Sequence, residues 1–544
     1  MRKNLLVLIL VVSFAITSLA QTATAPNSPA RKAAENITAA QISDYLYFIA
    51  SDEMEGRDTP SRGLDTAAKF MATLMSRWGV KPAGDNNTYF QRMWVVRKSV
   101  DATASSLVLN GQTLKYGEDF YGMTDDGMAN APIVFGGHGW FHKAKGIDTL
   151  AGIDVKGKIV VVYGGNSPNG LPAGLTFADF QQGKQGEDWA TPAGNAAMKG
   201  AVGVINIASP RIQTNWARFS QGLSGGVQIE GLNDNAGGGP MLPTVVLNQN
   251  VAKSLFEGES ANPLTAADTK AFAFQGNKSA NMTVKVKTTK IPTQNVLGMI
   301  EGSDPVLKSE MVVVTAHYDH DGVRPTAQGD DKIWNGADDD GSGTTAILAM
   351  AEALAKSPVK PKRSMVFLWV AGEEKGLLGS EFFVKYPTPA VPIKNVVTNI
   401  NIDMIGRSRK ADNTDPRDKD LSGENEVYVI GSNMMSSTLG QVTDSVNKAY
   451  LNMTYNLKYD DPKDTNRFFF RSDHFNFAVN GIPAIFFFNG VHRDYHQAGD
   501  HPDKIDYARM EKITRTIFLT MWELGDLKER PKVDKELPAE LRQR

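Results

Sequence analysis

Short apolar runs separated by amphipathic stretches dominate the second half of the chain. Four runs stand out: MVVVTA at residues 311–316, MVFLWVAG at 365–372, VVTNINI at 396–402 and IPAIFFFNG at 482–490. Runs that are apolar at consecutive positions are typical of strands buried on both faces of a parallel sheet. Between the first two runs, helical spacing places four apolar residues on one face: Ile347, Met350, Ala353 and Leu354. The alternation predicts an α/β fold with a doubly wound, mostly parallel sheet over residues 291–527.

Upstream of this region the pattern changes twice. The first part shows helical periodicity on both sides of a loop, and we expect residues 21–100 to pack on the predicted sheet. Residues 101–290 consist of short strands and turns, with a hairpin signal at Asn110 and Gly111 and a long loop predicted over residues 209–243. This pattern of short strands and turns predicts a smaller, β-rich α/β domain inserted into the larger one.

The two termini have their own signals. Residues 1–20 combine a basic start, an apolar run and small residues at Ser18 and Ala20, which is typical of a secretory signal peptide cut after Ala20. A membrane anchor is the competing interpretation, but the run is short for a membrane span and no second long apolar run follows. We therefore expect a periplasmic or secreted protein that has left the membrane after signal removal. Residues 528–544 read as a charged tail.

Composition narrows the classes of function. The 544 residues exceed the roughly 250 to 300 at which a single core stops growing, so more than one domain is expected. The chain has no cysteine, which excludes disulfides, thiolate metal ligands and a cysteine nucleophile, so any metal must be held by nitrogen and oxygen. A net charge of −2 argues against nucleic acid as a partner, because nucleic acid requires a strongly basic face.

Acidic and imidazole side chains follow each of the four predicted strands. His317 directly follows the first run, Glu373 and Glu374 follow the second, Asp403 follows the third, and His496 comes a few residues after the fourth. In open wound sheets the functional groups gather at the carboxyl ends of the strands. One such residue would be an ordinary loop residue, but their joint occurrence indicates a shared site.

The stretch NGADDDGSG at residues 335–343 adds three adjacent aspartates. Alone it would be a solvated acidic turn, because adjacent carboxylates repel one another unless positive charge lies against them. Together with the strand-end residues it indicates bound cations, and histidine mixed with carboxylate is a ligand set that zinc prefers. A two-metal site needs a carboxylate that bridges both ions, and Asp339, the middle aspartate, is the candidate.

Six motifs in this order resemble the M28 family of co-catalytic zinc peptidases, which contains aminopeptidases and glutamate carboxypeptidases. They are TAHYDH, NGADDDGSG, AGEEKGLLGS, NIDMIG, FFFRSDHFNFAVNGIPAIFFF and DYHQAGDHPDKID. The middle zone is similar to the protease-associated domain that many of these enzymes carry as an insert, most clearly in APIVFGGHG, DVKGKIVVV and AAMKGAVGVI. The stretch FIASDEMEGRDTPSRG, before the insert, also fits the family pattern.

The resemblance implies a ligand set for two zinc ions per chain. His317 and Asp403 would hold one ion, Glu374 and His496 would hold the other, and Asp339 would bridge them.

The resemblance also implies roles for residues that do not hold metal. Asp319 would orient the imidazole of His317 through its carboxylate, and Glu373 would be the general base. Tyr495 would donate a hydrogen bond to the oxyanion, and the peptide bond between Asp339 and Asp340 would be cis.

The leading hypothesis is an exported di-zinc aminopeptidase that releases single residues from the N-termini of peptide substrates. A carboxypeptidase or dipeptidase with the same metal core is the alternative, and Arg471 and Arg493 keep it open because they could bind an α-carboxylate. A glutaminyl cyclase is disfavoured because it usually lacks the insert and works with one zinc. A non-catalytic binding protein on this scaffold would be expected to have lost ligands.

Overall fold

The computed structural model describes residues 23–538 and Leu541, with gaps at residues 124–125, 166–170, 172–173, 181–182, 221–225, 233–241 and 267–269. The chain divides into two compact units, one comprising residues up to Val95 together with Ile291–Arg544, and the other comprising Val96–Lys290. The predicted signal peptide lies outside the described residues. Within the described part, no helix combines the length and apolar character that crossing a membrane requires.

The first unit is built on a mixed sheet. In chain order its strands are β1 (Phe90–Val100), β2 (Val286–Ile300), β3 (Met311–His317), β4 (Ser364–Val370), β5 (Val396–Ile402), β6 (Glu426–Ile430), β7 (Thr454–Asn456) and β8 (Ala484–Phe488). Across the sheet they follow the order β1-β2-β4-β3-β5-β8-β6-β7. The central strands β4, β3, β5 and β8 are parallel, whereas β2 and β6 pair antiparallel with β4 and β8. The predicted doubly wound, mostly parallel α/β fold is confirmed.

Helices cover this sheet, which explains its apolar sequence. They are α1 (Pro29–Ala34), α2 (Ala39–Ile49), α3 (Arg62–Arg77), α4 (Gly343–Lys356), α5 (Leu378–Lys385), α6 (Ser437–Tyr450), α7 (His474–Ala478) and α8 (Tyr507–Asp526). Every residue of β3, β4, β5 and β8 is buried, as expected for parallel strands covered on both faces. All four predicted strands are therefore present.

Helix α4 differs from its predicted one-sided pattern. Every residue from Gly343 to Leu354 is buried, so no face of this segment meets solvent. Helices α2 and α8 also contact α4, so it is enclosed by neighbours on more than the sheet side. Its small alanines make that close enclosure possible, and the expectation of a single apolar face is wrong.

The second unit contains a parallel core of its own. Strands Gly127–Phe135, Ile159–Val162, Gly203–Ile207 and Thr244–Leu247 pair side by side in parallel. The predicted hairpin is confirmed, because antiparallel strands meet at Asn110 and Gly111, and both of these residues have positive φ. The predicted insert, residues 101–290, lies inside this unit, and its assignment as a protease-associated domain stays a prediction.

Part of the predicted long loop at 209–243 is helical. Short helices span Pro210–Thr214 and Trp216–Ser220. Ser209 caps the first of them by accepting the N–H of Ile212, and Pro210 supplies a backbone already suited to a helix start. The expectation of loop is therefore wrong for these residues.

The packing of β4 against α4 yields a stability prediction. Trp369 is fully buried in β4, and its Nε1–H donates to the carbonyl of Thr344 at 3.0 Å. Trp369→Phe removes this hydrogen bond and leaves a void, so we expect the free energy of unfolding to fall by about 2 kcal/mol. Denaturant unfolding measures the change. Trp94→Phe is the control, since Trp94 is 46% exposed, and it should shift the free energy by less than about 0.5 kcal/mol. Equal losses in both variants would contradict the prediction.

Candidate active site

The parallel strands deliver the predicted side chains to one edge of the sheet. His317 is the last residue of β3, Asp403 directly follows β5, and Glu373 and Glu374 lie three and four positions after the end of β4. His496 reaches the same edge from the segment after β8. Its backbone is left-handed, with φ of 52°, a conformation that only surrounding contacts hold in place for a residue with a side chain.

The donor atoms at this edge lie at short mutual distances. His317 Nε2 lies 3.2 Å from Asp339 Oδ1 and 3.7 Å from Asp403 Oδ1. His496 Nε2 lies 3.1 Å from Asp339 Oδ2 and 3.1 Å from Glu374 Oε2. The two oxygens of Asp339 thus face two different histidines. All five residues predicted to hold metal are brought together.

These distances fit zinc. With zinc–nitrogen and zinc–oxygen distances of about 2.0 to 2.2 Å, neighbouring donors of a tetrahedral site lie roughly 3.3 to 3.6 Å apart. The observed separations of 3.1 to 3.7 Å lie around that range. A carboxylate with one oxygen in each donor group has the arrangement that bridging requires.

The two outer aspartates of the triplet fasten the backbone around Asp339. Asp338 Oδ1 accepts the N–H of Gly406 at 2.7 Å, and Asp340 Oδ1 accepts the N–H of Gly343 at 2.8 Å. A side chain at Gly343 would place its Cβ 2.5 Å from both oxygens of Asp340, so only glycine fits there. The peptide bond between Asp339 and Asp340 is cis, as the resemblance implies.

Asp319 does not orient His317 in the way the sequence suggested. The carboxylate of Asp319 is 3.7 Å from His317 Nδ1, beyond hydrogen-bonding distance, whereas the main-chain carbonyl of Asp319 is 3.1 Å away and accepts from that nitrogen. The carboxylate instead accepts the N–H of Glu373 at 3.2 Å. The predicted contact is therefore corrected: the carbonyl orients the ring, and the carboxylate holds the turn after β4.

The adjacent glutamates point to different parts of the site. Glu374 faces His496, while Glu373 lines an open cleft, with Oε2 3.9 Å from His317 Nε2. The cleft has an apolar wall formed by Phe468, Phe486, Phe488 and Val491. Asp339 and Asp403 also border it, so the donor cluster opens onto this cleft.

Tyr495 and Arg471 stand together at this cleft. Arg471 Nη2 donates to the hydroxyl oxygen of Tyr495 at 3.0 Å, and both residues line the cleft. Arg493 does not share this position. Its guanidinium donates to Asp418 Oδ2 at 2.6 Å and lies 3.3 Å from Asp415, so it is engaged in an ion-pair cluster of its own.

The sequence patterns do not predict two residues of the site. His320 is fully buried, its Nδ1 lies 2.8 Å from Glu374 Oε1, and it forms a possible metal-holding group with Asp339 and Glu374. His320 is the final histidine of the motif TAHYDH, so the motif contained it. Asp500 is also fully buried and accepts the N–H groups of Asp338 and Asp339 at 2.9 and 3.1 Å. Only its place in the last motif hinted at this role.

Neighbouring carboxylates raise the pKa values of the imidazoles at the site. Burial by itself would lower the pKa of His317, but the carboxylates of Glu373 and Asp403 raise it well above its ordinary value. Burial likewise opposes protonation of His496, yet Asp339 and Glu374 raise its pKa to about 11. The crowded carboxylates therefore require positive charge between them.

The sequence that carries these donor residues is similar to the sequences of known peptidases. Residues 295–521 match the model of Peptidase family M28. The chain is 27% identical over 278 residues to the probable leucine aminopeptidase 2 of Aspergillus oryzae, a match that covers 47% of this chain and 50% of that protein. It is 27% identical over 271 residues to Aminopeptidase YwaD of Bacillus subtilis, covering 48% of this chain and 51% of that protein. The chain thus spans about half the length of these curated relatives.

Solved structures are also similar. The aminopeptidase from Aneurinibacillus sp. strain AM-1 superposes with a TM-score of 0.49 at 16% identity, covering 94% of this chain and 98% of that chain. BSAP, a zinc aminopeptidase from Bacillus subtilis, superposes with a TM-score of 0.47 at 18% identity, covering 92% and 99%.

The ordered motifs, the donors at the strand ends and the family match agree with one another. Residues 295–521 match peptidase family M28.

Proposed function

We propose that the chain is an exported, zinc-dependent exopeptidase, and specifically an aminopeptidase that releases N-terminal residues from peptides. The observation that carries the proposal is the pair of donor groups that share Asp339, whose two oxygens face His317 and His496. Relatives named leucine aminopeptidase and aminopeptidase support the reaction class. The pattern of residues 1–20 supports export.

In this proposal the chain holds two zinc ions. His317 and Asp403 would hold one, Glu374 and His496 would hold the other, and Asp339 would be shared between them. When bound, the ions supply Lewis acidity and a nucleophile at neutral pH. The complete donor set disfavours a glutaminyl cyclase with one zinc and a non-catalytic relative that has lost ligands.

Glu373 is the proposed proton carrier. Its side chain lines the cleft beside His317 without facing the second donor group. Burial raises the pKa of Glu373 well above its ordinary value, and Glu374 and Asp403 add to the rise. A carboxylate of raised pKa accepts a proton from the attacking water and can pass it to the nitrogen of the leaving amine.

Tyr495 is the proposed hydrogen-bond donor to the substrate carbonyl oxygen. Its hydroxyl oxygen already accepts from Arg471, so its own hydrogen remains available to an acceptor in the cleft. Such a donor stabilises the negative charge that develops on that oxygen in the transition state.

Arg471 gives the alternative reaction a structural basis. The carboxylates that line the cleft already have proposed roles, Asp339 and Asp403 in holding metal and Glu373 in proton transfer. Arg471 is a cation in the same cleft and suits an α-carboxylate, as a carboxypeptidase or dipeptidase would require. The leading proposal is the aminopeptidase, because relatives that bear this name support it.

Metal removal combined with end-blocked substrates tests the proposal. We expect the purified protein to carry two zinc ions per chain and to hydrolyse an amino-acid amide with a free amine. Chelation should abolish the activity, and zinc or cobalt should restore it. A matched peptide acetylated at its N-terminus should resist hydrolysis. Full activity without metal would refute the metal centre, and cleavage only of the acetylated peptide would favour the carboxypeptidase.

The raised histidine pKa values predict proton release on metal binding. Without metal, His496 is protonated at pH 7, because Asp339 and Glu374 raise its pKa to about 11, and neighbouring carboxylates shift the pKa of His317 in the same direction. Each must lose its proton to bind zinc, so zinc affinity should rise between pH 6 and 8 by up to about tenfold per pH unit for each proton displaced. Calorimetry in buffers of different ionisation enthalpy counts the protons. An affinity that does not change with pH would contradict the prediction.

The two glutamates should separate chemistry from metal binding. Glu373→Gln keeps the shape but removes the basic group, so we expect kcat to fall by about 10² to 10⁴-fold with both metals retained. Glu374→Gln should instead weaken the binding of one metal. Metal analysis alongside kinetics distinguishes the two. A Glu373→Gln protein with near-normal kcat, or one that loses zinc while Glu374→Gln keeps it, would overturn the assignment.

A further inference from the structure

Arg57 lies beneath the donor cluster and has no exposed surface. Its guanidinium donates to four main-chain carbonyls: Nε to Tyr318 at 2.8 Å, Nη1 to Ile49 at 2.6 Å and to Asn335 at 2.7 Å, and Nη2 to Gly336 at 2.9 Å. Four hydrogen bonds engage the guanidinium along its whole fork. The side chain is therefore fixed on all sides.

Three of these carbonyls belong to the two loops that carry proposed ligands, and the fourth, that of Ile49, ends α2. Tyr318 directly follows His317, and Gly336 lies three residues before Asp339. The main chain adds a further link, because the N–H of His320 donates to the carbonyl of Arg57 at 3.2 Å. Arg57 thus joins the end of β3 to the segment that precedes α4.

The backbone at Gly56 and Arg57 adopts an unusual conformation that directs the Arg57 side chain toward these carbonyls. Gly56 and Arg57 have φ of 62° and 51°, in the left-handed region. A Cβ at Gly56 would lie 2.3 Å from the carbonyl oxygen of Trp334, so the chain approaches that loop as closely as glycine allows. A left-handed arginine persists only where surrounding contacts enforce it.

The charge of Arg57 acts without occupying a ligand. Burial lowers the pKa of Arg57 to about 10, while Asp319 and Asp340 favour the charged form, so the side chain stays a cation at neutral pH. Its four acceptors are carbonyls and not carboxylates. A basic side chain paired directly with Asp339 would compete with metal for the same oxygens.

We propose that Arg57 is a positioning residue that holds the loops of His317 and Asp339 at metal-binding separation before any metal arrives. It also offsets part of the carboxylate charge of the site. The inference rests on the proposed metal centre. Lysine could not replace it, because a single ammonium on a flexible stem cannot reach four carbonyls in a fixed fork.

Arg57→Lys tests this role, with Arg363→Lys as the matched control. Arg363 is also buried, at 1% exposure, and donates to the Glu310 carboxylate and the carbonyl of Leu527, but it directly precedes β4, whose other end faces the site. We expect Arg57→Lys to weaken zinc binding by about 10- to 100-fold in competition with a chelating dye. Arg363→Lys should lower the thermal midpoints of the metal-free and metal-loaded proteins alike and leave zinc affinity unchanged.

The outcomes separate the inference from the proposed function. A wild-type protein that binds no zinc refutes the metal centre itself. A wild type that binds two ions, together with an Arg57→Lys protein that binds both with unchanged affinity, overturns only the role of Arg57.

Hydrogen exchange on the wild type keeps the inference testable if Arg57→Lys does not fold. The amides of His320 and Gly341, which donate to Arg57 and Gly336, should be protected in the metal-free protein. If they exchange freely without zinc and become protected only with it, metal and not Arg57 orders these loops, and the inference is wrong.

Discussion

Buried negative charge is the constraint around which this site is built. Carboxylates that repel one another are gathered at the ends of parallel strands, where water is largely excluded, and each must be offset. The chain uses three means: the imidazole of His496 faces Asp339 and Glu374, backbone N–H groups donate to one oxygen each of Asp338 and Asp340, and the guanidinium of Arg57 adds a fixed positive charge. Metal can take the place of a proton on the imidazole, whereas the backbone N–H groups and the guanidinium remain in place.

The division of labour within the aspartate triplet follows from this. Backbone donors that hold Asp338 and Asp340 leave only Asp339 with both oxygens turned toward histidines. Asp500 then fixes the N–H of Asp339 itself. Asp339 is thus the proposed bridging group because Asp338 and Asp340 are already engaged with backbone N–H groups.

Residue patterns predict the parts of this structure that depend on local sequence. Strand β5 could be predicted because Val396, Val397, Ile400 and Ile402 are apolar, and Asp403 could be predicted as a site residue because it directly follows that strand. Contacts between distant segments cannot be predicted from the local sequence in this way. Arg57 meets acceptors more than 200 positions away, and the role of Asp319 turned on whether its carbonyl or its carboxylate lies nearer to His317. Helix α4 failed as a one-sided pattern for the same reason, since the helices that enclose it come from both ends of the chain.

The discontinuity of the first unit has a consequence for the order of folding. Arg57 belongs to the segment before Val96, but its acceptors Tyr318 and Gly336 lie 261 and 279 positions later. Joining them closes a loop that contains the entire second unit, and that entropy must be overcome before the donor cluster can form. A growing chain therefore cannot assemble the site until the second unit and the segment through His496 have been made. A shorter chain lacks His496, so the proposed activity is withheld until most of the chain has been synthesised.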